Sequence, residues 1–208
     1  MGAPALIEWG VATLALPGEA QSGDLHFVKP VGTGVLVAVV DGLGHGAEAA
    51  TAARAAVAAL ERHATESPVP LFERCHRALQ GTRGVVMSVA VLGRPDGSMT
   101  WLGVGNVEGL LLYGDGAARS GSPRASLATR GGIVGSELPR LHPVVLPIAS
   151  GDTLIFATDG IREGFAEGLS REASPQQLAD RILARHGKGT DDALVLVARY
   201  LGGAGTRA

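Results

Sequence analysis

Continuous apolar runs, closed by glycine or by an Asp-Gly pair, dominate the first half of the chain. Residues 34–40 are apolar and rich in β-branched side chains, which indicates a strand buried on both faces, and residues 25–28 predict another strand before it. Residues 47–63 are strong helix formers with apolar positions at helical spacing. A second helix is predicted over 70–80, because its apolar residues recur every four positions before a glycine.

After Gly84 the apolar pattern becomes typical of strands. Strands are predicted over residues 85–92, 99–104, 110–113, 144–148, 153–158 and 194–200, with turns at 95–97, 114–116 and 150–152. One helix interrupts this series. Ser174, Pro175 and Gln177 supply an N-cap, an N1 proline and a capping-box partner for a helix that ends at Gly187.

The order of these elements favours an α+β architecture. Strands follow strands in the middle of the chain instead of alternating with helices, so a layered sandwich fits better than a doubly wound sheet. Residues 1–201 are predicted to form a single domain, followed by a flexible tail over 202–208. Residues 120–143 are rich in Gly, Ser, Pro and Arg without any period, which predicts a long loop that borders a site.

Composition and charge narrow the class of protein. The 208 residues are 46% apolar and only 18% charged, which is typical of one globular core. Eighteen basic against twenty acidic residues, with no basic block, argue against nucleic acid as a partner. A single cysteine excludes an internal disulfide, and no apolar run is long enough to span a bilayer. We therefore expect a cytoplasmic monomer with no membrane contact.

Aspartates recur at the ends of the predicted strands. Asp41 follows one apolar strand, Asp159 follows another, and Asp191 with Asp192 precedes the last, while Asp24 precedes the strand at 25–28. A single Asp-Gly after a strand is usually only a turn. Several carboxylates at the ends of rigid strands can instead converge on one edge of a sandwich, where their repulsion is relieved by cations.

Oxygen ligands of this kind suit Mg²⁺ or Mn²⁺ rather than zinc. Two such ions side by side would polarise a phosphoryl group and generate hydroxide at neutral pH, so the carboxylates indicate phosphatase chemistry.

Three other chemistries fit the sequence less well. Residues 42–47 match the dinucleotide fingerprint G-x-G-x-x-A, but Asp41 would repel the pyrophosphate and no second strand precedes the acidic residues about 20 positions on. Cys75 has Gly81 where a cysteine phosphatase needs arginine and lies in a predicted helix, so we assign it to the core. No G-x-S-x-G nucleophile elbow occurs anywhere.

Four motifs, taken together and in order, resemble those of a known family. They are S-G-D at 22–24, V-D-G-L-G-H-G at 40–46, A-T-D-G-I at 157–161 and T-D-D-A at 190–193. The chain resembles the bacterial SpoIIE-type branch of the metal-dependent (2C-like, PPM) serine/threonine phosphatases over about residues 8–200. Within that branch, R-G-V-V at 83–86 and G-V-G-N at 103–106 are most similar to the RsbX-like group of free-standing catalytic domains.

The resemblance implies a four-layer α-β-β-α sandwich with two central antiparallel sheets and two bound ions, Mn²⁺ or Mg²⁺. It implies that Asp41 bridges both ions, that Gly42 adds its carbonyl, and that Asp24, Asp159 and Asp191 complete the ligand set. The implied substrate is a phosphorylated STAS-domain protein of the stressosome or anti-sigma-factor-antagonist type.

The chain also departs from this pattern. Related phosphatases carry a histidine directly after the first Asp-Gly as a general acid, whereas Leu43 stands there and His45 comes two positions later. His45 is therefore a candidate for acid catalysis or, alternatively, a residue that only caps a helix or packs. Related phosphatases also bind the phosphate with an early arginine, but the only cation before Arg54 is Lys29. These departures leave a pseudo-phosphatase that binds phosphorylated partners as the alternative function.

Four arginines lie in the segment 119–143, which contains the predicted loop, at positions 119, 124, 130 and 140. We expect this loop to border the metal edge and to help receive the protein substrate, with Arg124 and Arg130 as the candidate substrate-binding residues. An inert surface loop is the alternative.

Overall fold

The computed structural model describes residues 5–93, 96–114, 122–169 and 172–202. In chain order these residues form β1 (Ile7–Leu14), β2 (Asp24–Val31), β3 (Gly34–Gly42), α1 (Gly46–His63), α2 (Pro68–Ala78), β4 (Val85–Leu92), β5 (Ser98–Val104), β6 (Glu108–Leu112), β7 (Arg124–Leu127), β8 (Val144–Pro147), β9 (Thr153–Ala157), α3 (Pro175–His186) and β10 (Ala193–Tyr200). No helix in these ranges is both long enough and apolar enough to cross a membrane.

The strands form two sheets of five, and every neighbouring pair is antiparallel. One sheet has the order β1-β10-β9-β6-β7 and the other the order β2-β3-β4-β5-β8. The start of β2 is paired with the end of β3, since Asp24 is opposite Asp41. The end of β9 is likewise paired with the start of β10, where Ala157 is opposite Val195. Each sheet thus brings one strand start and one strand end to the same edge.

Three apolar clusters separate four layers. The first lies between β2–β5 and the helices α1 and α2, and includes Leu60, Phe72 and Cys75. The second lies between the two sheets and includes Trp101 and Phe156. The third lies between α3 and the sheet that contains β10. This arrangement confirms the predicted α-β-β-α sandwich with two central antiparallel sheets.

Local sequence explains how two of the helices form. Ser174 accepts a hydrogen bond from the backbone N–H of Gln177, and the Gln177 side chain accepts one from the backbone of Ser174, so the predicted capping box is present at α3. The buried face of α1 consists mainly of alanines. These small side chains let α1 approach β3 closely, because a Cβ on Gly42 would lie only 2.2 Å from the carbonyl oxygen of Ala49.

Two strands were absent from the sequence prediction. β1 buries Gly10 and Ala12, whose small side chains give no strong apolar signal. Gly10 is required there because a Cβ would lie 2.4 Å from the backbone of Gln176 in α3. β7 lies inside the predicted loop and has the sequence R-A-S-L, an edge strand with a single buried side chain. The loop prediction for residues 120–143 is therefore wrong at β7.

Several predictions fall on residues outside the described ranges. These are the first residue of the turn at 95–97, most of the turn at 114–116, Arg119 in the loop, and the tail from residue 203 onward. The assignment of residues 1–201 to a single domain stays a prediction.

Candidate active site

Four aspartates lie at one edge of the sandwich, two from each sheet. Asp24 begins β2 and Asp41 is the penultimate residue of β3. In the other sheet, Asp159 lies two residues beyond β9 and Asp191 two residues before β10. The strand ends position all four, because antiparallel pairing brings the start of one strand to the end of its neighbour.

A buried threonine connects the two sheets at this edge. The Thr158 hydroxyl donates a 2.7 Å hydrogen bond to Oδ2 of Asp24 and accepts a 2.8 Å bond from the backbone N–H of Leu194. Thr158 and Asp24 are only 2% and 3% exposed. The position of the Asp24 carboxylate in one sheet is therefore tied to β9 and β10 in the other.

Asp192 makes a second connection between the sheets. Its carboxylate accepts hydrogen bonds from the backbone N–H groups of Gly23, at 2.7 Å, and Leu16, at 2.8 Å. A Cβ on Gly160 would lie 1.9 Å from the backbone oxygen of Asp192, so this approach requires glycine. Asp192 thus stabilises the segment before β2 by hydrogen bonds, a role that the sequence did not reveal.

An open cavity of about 160 Å³ lies at the same edge. Its lining residues are Asp41, Leu43, Gly44, His45, Val86, Asn106, Asp159 and Asp191. Of the five predicted metal-binding residues, three therefore line the cavity. Asp24 and Gly42 are not among the lining residues: Asp24 is opposite Asp41 in the β2–β3 pair, and the Gly42 N–H donates to the carbonyl of Gly23.

The electrostatics of this edge are unfavourable for anionic carboxylates alone. Burial, together with the charges of Asp24, Asp159, Asp191 and Asp192, raises the pKa of Asp41 to about 9. Burial also raises the pKa of Asp24 to about 7, although the hydrogen bond from Thr158 opposes this shift. A positive charge among these groups would restore their ionised forms.

The donor set fits a hard divalent cation. The side chains of Asp41, Asp159 and Asp191 that line the cavity offer carboxylate oxygens, the ligands that Mg²⁺ and Mn²⁺ prefer. Within the described ranges, no three His, Cys, Asp or Glu side chains are already arranged as a coordination shell. The raised pKa values and the shared edge support a cation site.

His45 stands at the N-cap of α1, but its side chain makes no capping hydrogen bond. Its Nδ1 lies 2.7 Å from Oε1 of Glu19 instead. A carboxylate only accepts hydrogen bonds, so Nδ1 carries a proton, and Nε2 has no hydrogen-bond partner within the described part of the chain. The structure therefore gives no support to capping as the role of His45. Glu19 was missed because no sequence pattern connects residues 19 and 45.

Two further side chains contact Asp159. The Nδ2 group of Asn106, in the connection between β5 and β6, donates a 2.9 Å hydrogen bond to Oδ2 of Asp159. The ammonium group of Lys188 donates to the backbone oxygen of Asp159. Asn106 belongs to the G-V-G-N motif, so its motif was recognised but its contact with Asp159 was not.

The two candidate substrate arginines lie in different places. The backbone of Arg130 pairs with the end of β5, where the N–H of Gly105 donates to its carbonyl at 2.7 Å. Arg130 is thus next to the segment that contains Asn106. Arg124 is opposite Leu112, at the end of β6 remote from the carboxylates, so the structure does not bring it to the cavity.

Cys75 is fully buried between α1 and α2, and burial raises the pKa of its thiol to about 12. A neutral thiol in the core is no nucleophile, in agreement with its assignment to the core.

Comparison with known proteins identifies the family. The sequence model for "Stage II sporulation protein E (SpoIIE)" matches residues 32–201. The chain belongs to the SpoIIE family. Among curated proteins, this SpoIIE-family chain is 32% identical to phosphoserine phosphatase RsbX of Bacillus subtilis (strain 168) over 94 residues, which is 45% of this chain. The match spans about half, 47%, of the length of that relative.

Solved structures of similar proteins cover nearly the whole SpoIIE-family chain. One, from work on the bacterial stressosome as a modular system adapted to control secondary messenger signaling, superimposes with a TM-score of 0.83 and 32% identity over 93% of this chain and 99% of that one. RsbX in complex with magnesium superimposes with a TM-score of 0.82 and is 22% identical; the match covers 93% of this chain and 95% of RsbX. The catalytic domain of the serine/threonine phosphatase PstP with two manganese ions superimposes with a TM-score of 0.69 and is 15% identical. That match covers 94% of this chain and 98% of the PstP domain. The fold is that of the PP2C-type phosphatases.

Proposed function

We propose that the protein is a Mn²⁺- or Mg²⁺-dependent phosphoserine/phosphothreonine protein phosphatase. The observation that carries the proposal is the meeting of strand-end carboxylates from both sheets at one open cavity. The similarity to RsbX, a phosphoserine phosphatase, and the magnesium and manganese ions bound by RsbX and PstP support the same assignment.

The carboxylates of Asp41, Asp24, Asp159 and Asp191 and the carbonyl of Gly42 would hold the two ions. When bound, the ions polarise the phosphoryl group and supply hydroxide for direct attack on phosphorus. Thr158 orients the carboxylate of Asp24, since its hydroxyl donates to one oxygen and leaves the other free.

His45 is the proposed general acid. Glu19 accepts the hydrogen bond of Nδ1, so in the doubly protonated ring the second proton, on Nε2, is the one that His45 can deliver to the serine or threonine oxygen that leaves. This arrangement compensates for Leu43 in the position where related phosphatases carry histidine.

The proposed substrate is a phosphorylated STAS-domain protein of the stressosome or anti-sigma-factor-antagonist type. The link of one similar structure to the stressosome supports this choice, and the open cavity suits a phosphorylated side chain presented on a protein surface. Arg130, beside the segment of Asn106, remains the better candidate of the two loop arginines for substrate contact. Action as a monomer in the cytoplasm is part of the same proposal.

Phosphate release from a phosphorylated STAS-domain protein encoded nearby tests this function. We expect release with Mn²⁺, none with chelator, and a loss of more than about 100-fold in Asp41→Asn, since even partners of metal ligands matter by 10- to 100-fold. Asp180→Asn, on the outer helix α3, is the matched control and should keep full activity.

Two outcomes would count against the assignment. Efficient hydrolysis of a small phosphomonoester with no loss of phosphate from any STAS-domain protein would contradict a protein substrate. Tight binding of the phosphorylated partner without release, unchanged in Asp41→Asn, would instead favour the pseudo-phosphatase alternative.

A further inference from the structure

The cavity is lined by acidic residues, yet a substrate phosphate is itself an anion. The two earliest cations of the sequence are engaged elsewhere: Lys29 pairs with Glu61 on α1, and Arg54 donates to Gln21 at 2.7 Å. Neither lines the cavity. Among the lining residues only His45 is basic, so a further cation for the phosphate would come from a residue beside the cavity.

Arg83, in the connection between α2 and β4, lies beside Gly44, one of the residues that line this cavity. The backbone N–H of Leu43 donates a 3.2 Å hydrogen bond to the carbonyl of Gly84, so the loop that contains Arg83 runs beside the loop that lines the cavity. The contact of the guanidinium with Gly44 is close. A Cβ on Gly44 would lie 2.6 Å from Nη1 of Arg83, and the φ of +85° at Gly44 favours glycine there.

Glu48 holds this guanidinium in place. The Nε of Arg83 lies 2.5 Å from Oε2 of Glu48 in the first turn of α1. Nε is only one of five N–H donors in the planar fork, so the four on Nη1 and Nη2 remain for other acceptors. The Arg83 side chain is 52% exposed, which leaves it accessible to a substrate that enters from solvent.

We propose that Arg83 binds the phosphate of the substrate beside the cavity, with Glu48 as the residue that positions its guanidinium. The inference deepens the proposed phosphatase function and rests on it for the identity of the substrate. A planar fork with free donors matches phosphate oxygens, and such charge-assisted bonds are stronger than neutral ones.

Lys188 is the rival for this role, since its ammonium group lies at Asp159, which also lines the cavity. It already donates to the backbone oxygen of Asp159, and the backbone N–H of Lys188 donates to Gly160. Lys188 therefore stabilises the turn after β9, whereas Arg83 keeps donors free.

Titration of the Mg²⁺-loaded full-length protein with inorganic phosphate, followed by calorimetry, tests the proposal without requiring turnover. We expect Arg83→Ala to weaken phosphate binding by about 10- to 100-fold, the value of a hydrogen bond to a charged group, and Arg83→Lys to weaken it less. Mg²⁺ affinity should not change. For a phosphoserine peptide, KM should rise more than kcat falls.

Arg74→Ala is the matched control, because Arg74 is also an exposed arginine paired with a glutamate, Glu66, but lies on α2. It should leave phosphate binding unchanged. Unchanged phosphate affinity in Arg83→Ala would overturn the proposal. So would a loss of phosphate affinity in Lys188→Ala but not in Arg83→Ala, or a protein without substitutions that binds no phosphate. If phosphate binds through Arg83 while no phosphopeptide is hydrolysed, only the phosphatase function fails.

Discussion

The hydroxyl of Thr158 donates a 2.7 Å hydrogen bond to the buried carboxylate of Asp24, and the two residues belong to different sheets. In Thr158→Val we expect the free energy of unfolding to fall by about 1–3 kcal/mol, because Asp24 loses its donor and the Leu194 N–H loses its acceptor. Urea unfolding measures this change. Thr100→Val is the control: within the described ranges the buried Thr100 hydroxyl has no hydrogen-bond partner, so the same substitution should be neutral or stabilising.

Stability should depend on pH in the metal-free protein. The pKa of Asp41 is raised to about 9 and that of Asp24 to about 7, so the folded state binds protons more tightly than the unfolded chain. Stability should then be greatest near pH 4 and fall as the pH rises through 7 and 9. Thermal unfolding in chelator at several pH values measures this slope, which should be shallower in Asp41→Asn.

Added Mn²⁺ should reverse this dependence. Metal ligands must be deprotonated, so the metal competes with protons and its stabilising effect grows with pH. The increase in Tm caused by Mn²⁺ should therefore be larger at pH 8 than at pH 5.5. Equal increases at both values, or none, would contradict the cation site.

The loss of kcat caused by substitutions of His45 and Glu19 should depend on the leaving group of the substrate. Phosphoserine needs a proton donor for its alkoxide, whereas p-nitrophenolate leaves unaided, so His45→Gln should lower kcat for a phosphoserine peptide by about 100-fold and for p-nitrophenyl phosphate far less. Glu19→Gln should also lower kcat more for the phosphoserine peptide than for p-nitrophenyl phosphate, but by a smaller factor. His63→Gln is the matched control, because His63 also pairs with a glutamate, Glu66, at the far end of α1. Equal losses on both substrates would mean that His45 is not the acid.

Substitutions of the adjacent Asp191 and Asp192 should have different effects, one mainly on metal binding and the other mainly on the free energy of unfolding. Asp192→Ala removes the acceptor of two backbone N–H groups and should reduce the free energy of unfolding by about 3 kcal/mol or more. Asp191→Ala should cost less stability in chelator, because it removes the acceptor of one backbone N–H, that of Asp192 at 2.9 Å, but also a negative charge near Asp41. It should weaken Mn²⁺ binding by at least about 10-fold. Chemical unfolding and calorimetric titration distinguish the two; equal behaviour would contradict these roles.

Much of the site could be predicted from the sequence because its carboxylates stand at the ends of strongly apolar strands. The run before Asp41 is β-branched and continuous, so both the strand and its end were recognisable. The capping box at Ser174 was equally local. By contrast, β1 buries Gly10 and Ala12, and its close approach to α3 depends on small residues that leave no periodic signal.

The contacts that orient the site could not be predicted because they join residues distant in sequence. Glu19 reaches His45 from an irregular segment, and Arg83 reaches Gly44 from the loop after α2. Neither pair lies at a spacing that any helix or strand would impose. The reverse error was Arg124, which occurs in a glycine-rich segment typical of site loops but forms an edge strand remote from the cavity.

The connection of Gly23 to Asp192 spans 169 positions of the chain. During synthesis the ribosome therefore releases Asp24 and Asp41 long before the residues that complete their surroundings. A nascent chain that stops short of Asp191 has only the carboxylates of β2, β3 and the segment after β9. It lacks Asp192, whose hydrogen bonds hold the segment before β2. The proposed metal site can thus form only after Asp191 and Asp192 have been synthesised, so chains that stop short of them should be inert toward phosphorylated partners.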